Sequence, residues 1–178
     1  MIFPKSTKDR VYVFDVDGVL VDVRDRLKET LKRLGLSELI KDTSQITGSL
    51  RNRFWKIFLS ENMLAYDKPR PLGISLLLDR LHEGSVIVLT GRPETLRKAT
   101  LRELKGFGVP VEKISQFLFR RRGDRRADYM VKREYLKYFS SITEVHDDSI
   151  EILYEAKRIH PNARLYLHKN DCYVLLLE

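Results

Sequence analysis

The 178-residue chain has little of what stapled, exported or membrane-embedded proteins are built from. Its single cysteine, Cys172, excludes a disulfide within the chain and sits in an apolar run, which predicts an inert thiol in a reducing compartment. The first ten residues, MIFPKSTKDR, lack an apolar signal core and a small-residue cleavage site. The longest apolar runs are strand-sized, well short of the about 20 residues a membrane helix needs. These absences predict a cytoplasmic protein with no membrane partner. His82, His160 and His168 are scattered without ligand spacing, which argues against a zinc site. His146 differs in standing next to Asp147, where a hydrogen bond within a polar site is one expectation. Repeats of solenoid period are missing, as are low-complexity tracts apart from the arginines at 120–126.

What is present is a core-forming composition and an excess of positive charge. The chain is 43% hydrophobic and 33% charged. A chain of this length buries roughly 70% of the surface that its unfolded form exposes, so it needs no metal or disulfide to fold. The formal net charge is +8. Such an excess suits an anionic partner, nucleic acid in particular, and equally suits mere solubility.

The hydrophobic pattern alternates between strands and helices. Val11 to Phe14 reads as a short buried strand. Residues 24–34 carry Leu27, Leu31 and Leu34 at helical spacing before Gly35, and Ser37 suits the cap of a short turn. Residues 49–64 place Leu50, Phe54, Ile57 and Phe58 on one helical face. YDKPRP at 66–71 reads as a linker. Helices are then expected at 72–82, 93–105, 129–139 and 149–160. Strands are expected at 85–89, 115–120, 143–146, 163–167 and 172–177. The helix at 93–105 would open on Pro93. The pattern predicts an α/β fold: a Rossmann-like parallel sheet flanked by helices, with a small helical cap inserted after strand 1. The core would be residues 1–23 and 66–178, and the cap residues 24–65.

In such sheets ligands sit beyond the carboxyl ends of the strands, and polar residues gather there. Asp15 and Asp17 follow the first strand, Thr90, Gly91 and Arg92 follow VIVL, and Asp147 and Asp148 follow TEVH. Lys132 begins the helix before that last strand. Converging carboxylates need a counter-charge. A hard cation such as Mg²⁺ takes one or two of them and fills its shell with water and phosphate oxygens. Taken singly, each piece has a plainer reading: a turn, a helix start, a solvated lysine, a helix cap.

The four pieces in order, DVDGV at 15–19, TGR at 90–92, Lys132 and DDS at 147–149, resemble the motifs of haloacid dehalogenase superfamily phosphatases. The resemblance implies Asp15 as nucleophile and Asp17 as general acid and base, with a main-chain carbonyl on the metal. It implies Thr90 and Gly91 as donors to the phosphoryl group and Lys132 as its electrostatic partner. It implies Asp148 as a Mg²⁺ ligand, with Asp147 assisting or standing behind it.

RRRGDRRADYMVKREYL at 120–136 is similar to the segment around the catalytic lysine in the phosphatase domain of polynucleotide kinase-phosphatases. The matching residues are Arg121 or Arg120, Gly123, Asp124, Arg126, Asp128, Val131 and Lys132. Ser149 stands where an arginine commonly follows the aspartate pair, and the GxxxxGK[ST] loop of a kinase half is missing. The resemblance implies a phosphorylated substrate, with nucleic acid held through the basic surface. Arg92, Arg121 and Arg126 are the expected substrate contacts. Trp55, beside Arg51, Arg53 and Lys56, is either a stacking surface or part of the cap core. The function expected is Mg²⁺-dependent hydrolysis of a phosphomonoester on a nucleic-acid end or nucleotide. A small-metabolite phosphatase and a non-catalytic nucleic-acid-binding module stand as alternatives.

Overall fold

A computed structural model describes residues 10–36 and 45–176. The turn expected at Ser37 and the end of the last strand at Leu177 lie outside the described residues. The strands are β1 (Val11–Phe14), β2 (Val21–Asp22), β3 (Lys68–Pro69), β4 (Ser85–Pro93), β5 (Gln116–Arg120), β6 (Glu144–Asp147), β7 (Arg164–Lys169) and β8 (Cys172–Leu176). The helices are α1 (Arg24–Arg33), α2 (Gly48–Phe58), α3 (Pro71–Leu81), α4 (Arg97–Gly106), α5 (Asp128–Leu136) and α6 (Ile150–Ile159).

Six strands form one sheet in the order β5-β4-β1-β6-β7-β8. Strand side chains alternate between faces, and both faces are covered, so β1 is apolar throughout, whereas its neighbour β6 buries Glu144, His146 and Asp147. Val13, Ile87, Leu89 and Val145 pack beneath α5 and α6, against Val131, Leu136, Leu153 and Ala156. Tyr12, Phe14, Val86 and Val88 pack beneath α3 and α4, against Ile74, Leu77 and Leu104. Truncating a fully buried leucine such as Leu77 would cost about 2–5 kcal/mol.

Helices α1 and α2 follow β1 and build a cluster of their own from Leu31, Ile46, Phe54 and Phe58. Phe54 and Phe58 supply the aromatic part of that core, whereas Trp55 is 41% exposed. Trp55 is therefore surface and not cap core.

The expected α/β, Rossmann-like sheet flanked by helices is present, and three details differ from the expectation. The sheet is mixed, because β8 runs antiparallel to β7; only two residues separate them, enough for a hairpin but not for a crossover. Strand β4 continues through Pro93, and α4 starts at Arg97 after a short 3-10 turn at Glu94–Leu96. The pairing register with β5 shifts between Thr90 and Pro93, so Gly91 and Arg92 bulge from the ladder. Proline tolerates that strand end as readily as a helix start. The stretch read as a linker contains β3, which pairs antiparallel with β2 just after the Asp17 turn.

Candidate active site

Strand β1 has β4 on one side and β6 on the other, both parallel to it, so the chain reverses its direction of travel across the sheet at β1. Such a switch point opens a crevice at the carboxyl ends of the strands. Asp15 follows β1 there, with its N–H bonded to the His146 carbonyl at 2.9 Å. Gly18 turns the chain with φ of +80°; a Cβ on it would lie 2.1 Å from the Asp148 carboxylate, so glycine lets that carboxylate approach.

Asp15, Asp147 and Asp148 each offer an oxygen, and these oxygens all lie within 4.8 Å of one another. Lys132, 1% exposed on α5, reaches Asp15 and Asp147 at 2.8 Å each and Asp128 at 3.4 Å. Asp147 also accepts the Ser149 N–H at 2.9 Å, so both its oxygens are engaged. Asp15 and Asp147 are buried and Asp148 is exposed. Burial pushes Asp15 well up; Lys132 opposes the shift, and the neighbouring aspartates add to it. Asp147 is raised by burial, again against Lys132. Asp148 is pushed up to about 7 by desolvation and by Asp147. Burial would lower Lys132, but Asp147 and Asp15 outweigh it and keep the ammonium charged. Three carboxylates against one ammonium leave a formal charge of minus two, which one divalent cation cancels. The hard oxygen donors and the raised carboxylates both fit such an ion.

Asp17 turns to a different group. Its Oδ1 accepts Arg26 Nη2 at 2.6 Å and Arg92 at 2.7 and 3.0 Å. Both arginines are buried, and both also reach Asp67, at 2.9 and 3.0 Å. Arg92 reaches Glu103 as well, at 2.5 Å. Burial would raise Asp17, but Arg92 and Arg26 outweigh it and hold it below the usual range. Asp67 is pushed up to about 8 by burial and by Glu103. With a proton held there, two guanidinium groups face two carboxylates.

Thr90 is buried, and its Oγ1 accepts the Arg92 N–H at 3.2 Å, leaving the hydroxyl proton free to donate. A Cβ on Gly91 would lie 2.3 Å from Asp128 Oδ1. Arg120 braces this region, donating to the Gly91 carbonyl at 3.0 Å, the Arg126 carbonyl at 2.7 Å and Asp128 at 2.7 Å.

These residues open on a cavity of about 840 Å³. Asp15, Asp17, Thr90, Gly91 and Asp148 line it, together with Trp55 and Arg51 from α2 and Arg125 and Arg126 from the loop after β5. The expected substrate arginines divide. Arg92 borders the cavity, but its guanidinium is taken up by Asp17, Asp67 and Glu103. Arg126 borders it too and is held by Asp124 and Glu134 at 2.7 Å each. Arg121 is not among the lining residues; Tyr135 is the neighbour that most raises its guanidinium. His146 is absent from the cavity as well. Strand alternation turns it to the other face, stacked between Phe14 at 4.1 Å and Tyr166 at 4.5 Å, with its nitrogens near His168 and Glu144. The lone thiol of Cys172 is exposed.

Sequence reasoning missed Arg26, Asp67 and Glu103 as site neighbours, and gave Asp128 no task. No local spacing marks them, since Arg92 meets Asp17 across 75 residues and Asp67 across 25. Among the described residues no helix is long and apolar enough to cross a membrane.

No protein-family model matches the chain, and no curated protein matches it. Solved structures do. A haloacid dehalogenase-like hydrolase of Streptococcus pneumoniae is similar with a TM-score of 0.63 and 13% identity, over 90% of this chain and 84% of the other. A chain of the Pnkp1/Rnl/Hen1 RNA repair complex is similar with a TM-score of 0.60 and 16% identity, over 94% of this chain and 45% of the other. A HAD hydrolase of Bacillus subtilis, in a structure bound to magnesium, is similar with a TM-score of 0.54 and 10% identity, over 89% and 88%. With its switch point at β1 and a helical pair between β2 and β3, the chain has the fold of the haloacid dehalogenase-like hydrolases.

Proposed function

We propose that the protein is a Mg²⁺-dependent phosphomonoester hydrolase acting through an aspartyl-phosphate on Asp15, with nucleic-acid end phosphates or nucleotides as its substrates. The observation that carries this reading is the cation-short carboxylate cluster of Asp15, Asp147 and Asp148 around Lys132, beside a large cavity lined by arginines. Asp15, Asp148 and the Asp17 carbonyl would hold Mg²⁺, with Asp147 orienting Lys132 behind them. Bound there, the ion supplies the positive charge that lets a phosphate approach a carboxylate.

The chain's own residues account for the rest. An Asp15 oxygen attacks phosphorus, the ester P–O bond breaks, and the leaving oxygen takes a proton from Asp17. Water then gives a proton to Asp17 and attacks the same phosphorus, the bond to Asp15 breaks, and inorganic phosphate leaves. Arg92 and Arg26 favour ionised Asp17, which suits the second half. The charge of an incoming phosphate opposes them and favours the protonated form that the first half uses. Thr90 and the Gly91 N–H donate to phosphoryl oxygens, and Lys132 offsets charge on nucleophile and phosphate. Arg92 acts here as a positioning residue for Asp17. Arg125 and Arg126 face the substrate in place of Arg121.

The test is phosphate release from a panel of sugar phosphates, nucleotides and end-phosphorylated oligonucleotides, with and without Mg²⁺. Release that requires both Mg²⁺ and Asp15 is expected. RNA binding without hydrolysis of any phosphomonoester would overturn the proposal in favour of a binding module.

A further inference from the structure

The cavity is far larger than a phosphate requires. At about 840 Å³ it falls in the range, about 300–1,000 Å³, of sites that enclose drug-sized ligands. A phosphoryl group at the carboxylates leaves most of that space to the rest of the substrate. Helix α2 contributes Arg51, Trp55 and Phe58 to the lining, and Trp55 is the only tryptophan of the chain.

The setting of Trp55 is specific. Phe54 and Phe58 are buried and stacked on one another, 5.4 Å apart at 14°. The indole stands at 83° to one and 85° to the other, at 5.1 and 5.7 Å. These T-shaped contacts to two buried rings are a favoured aromatic geometry and hold the indole, which stays part-exposed where it lines the cavity. A tryptophan fixed by the core yet 41% exposed is a preformed platform. Arg51 lies one helical turn before it on the same side of α2, and Arg125 lines the cavity from the loop after β5. Neither arginine pairs with a carboxylate among the described residues, unlike Arg120 and Arg126.

We infer that Trp55 is a base-stacking, specificity-determining residue: the substrate is a phosphate ester carrying a nucleobase, which stacks on the part-exposed indole while its phosphate lies at Asp15. Arg51 and Arg125 take the remaining anionic charge. This inference rests on the phosphatase reading and names the chemical class of substrate for that same site. A free nucleotide and the terminal nucleotide of a polynucleotide present the same chemistry.

The first arm of the test is steady-state kinetics with Mg²⁺ on four substrates: an end-phosphorylated oligonucleotide, the same oligonucleotide with an abasic terminal sugar, a nucleoside monophosphate and glycerol phosphate. Trp55→Ala should raise KM about ten- to a hundredfold for base-bearing substrates, with kcat nearly unchanged. It should leave the abasic end and glycerol phosphate unaffected, and Trp55→Phe should restore most of the loss. An equal rise for all four substrates, or none for the base-bearing ones, overturns the subsite. A salt-dependent preference for the oligonucleotide that Arg125→Ala weakens identifies a polynucleotide end; equal KM values identify a free nucleotide. The second arm needs no turnover. As Trp55 is the sole tryptophan, titrating the Asp15→Asn protein with the oligonucleotide should quench its fluorescence, and the abasic form should not. Quenching without hydrolysis in the wild type would sink the phosphatase reading and keep the subsite; hydrolysis without quenching would do the reverse.

Discussion

Asp15 and Asp17 stand two residues apart at the end of one strand, yet burial has opposite outcomes for them. Asp15 joins Asp147 and Asp148 around a single ammonium, and its carboxyl is pushed well up. Asp17 points at two buried guanidinium groups, and its carboxyl is held down. Desolvation pushes both carboxyls up, although the Asp17 side chain is 25% exposed and that of Asp15 7%, so it does not give them opposite signs. The local charge balance does. One cluster is short of positive charge and invites a cation; the other is balanced within the protein and holds a side chain in place. A phosphoryl-transfer site has use for both, a locus where charge arrives and a fixed proton carrier beside it.

Substitutions can break this contrast at either end. The largest effect is expected from Asp15→Asn, which keeps the shape but removes the proposed nucleophile; phosphate release should fall by at least about a thousandfold with the circular dichroism spectrum unchanged. Lys132→Met should lower release by about a hundredfold or more. It also leaves its buried carboxylates without their ammonium, so the metal-free protein should lose about 3–5 kcal/mol of unfolding free energy in urea, in part recovered with Mg²⁺. Arg92→Met attacks the balanced cluster. A similar loss of stability is expected there, but Mg²⁺ should recover none of it, which is the sharper form of the comparison.

The pH dependence carries a sign. Asp148 is raised from the ordinary carboxylate range to about 7, so between about 4 and 7 the folded form binds more protons than the unfolded one. Stability of the metal-free protein should fall as pH rises through that window, and saturating Mg²⁺ should flatten the fall. Comparing thermal unfolding of the wild type with Asp148→Asn isolates the contribution. The smallest effect belongs to Arg121→Ala, because Arg121 does not line the cavity; kcat/KM should change less than about twofold, and a large loss would return Arg121 to the site.

Much of the fold was legible, since apolar runs of strand length alternating with helical spacing leave few arrangements other than a mostly parallel sheet covered on both faces. The places that misled were those where one residue type serves two geometries. Pro93 ends a bulged strand as readily as it opens a helix, and a two-residue hairpin turns β8 antiparallel whatever its apolarity. At the site, Asp15, Thr90, Lys132 and Asp148 were readable because each sits next to the end of a strand or in the helix that follows, and topology alone delivers them to one edge.

By itself, the sequence determined that these acids and the lysine would meet, through the order of the strands and the switch at β1. Only the tertiary structure decided which arginines serve the protein and which face the cavity. A guanidinium on a long side chain pairs with whichever carboxylate folding brings near, so Arg92 is drawn inward to Asp17, Asp67 and Glu103 while Arg125 lines the cavity. The same holds for Trp55: helical spacing puts it beside Phe54 and Phe58, but only packing shows which rings are covered and which is left exposed.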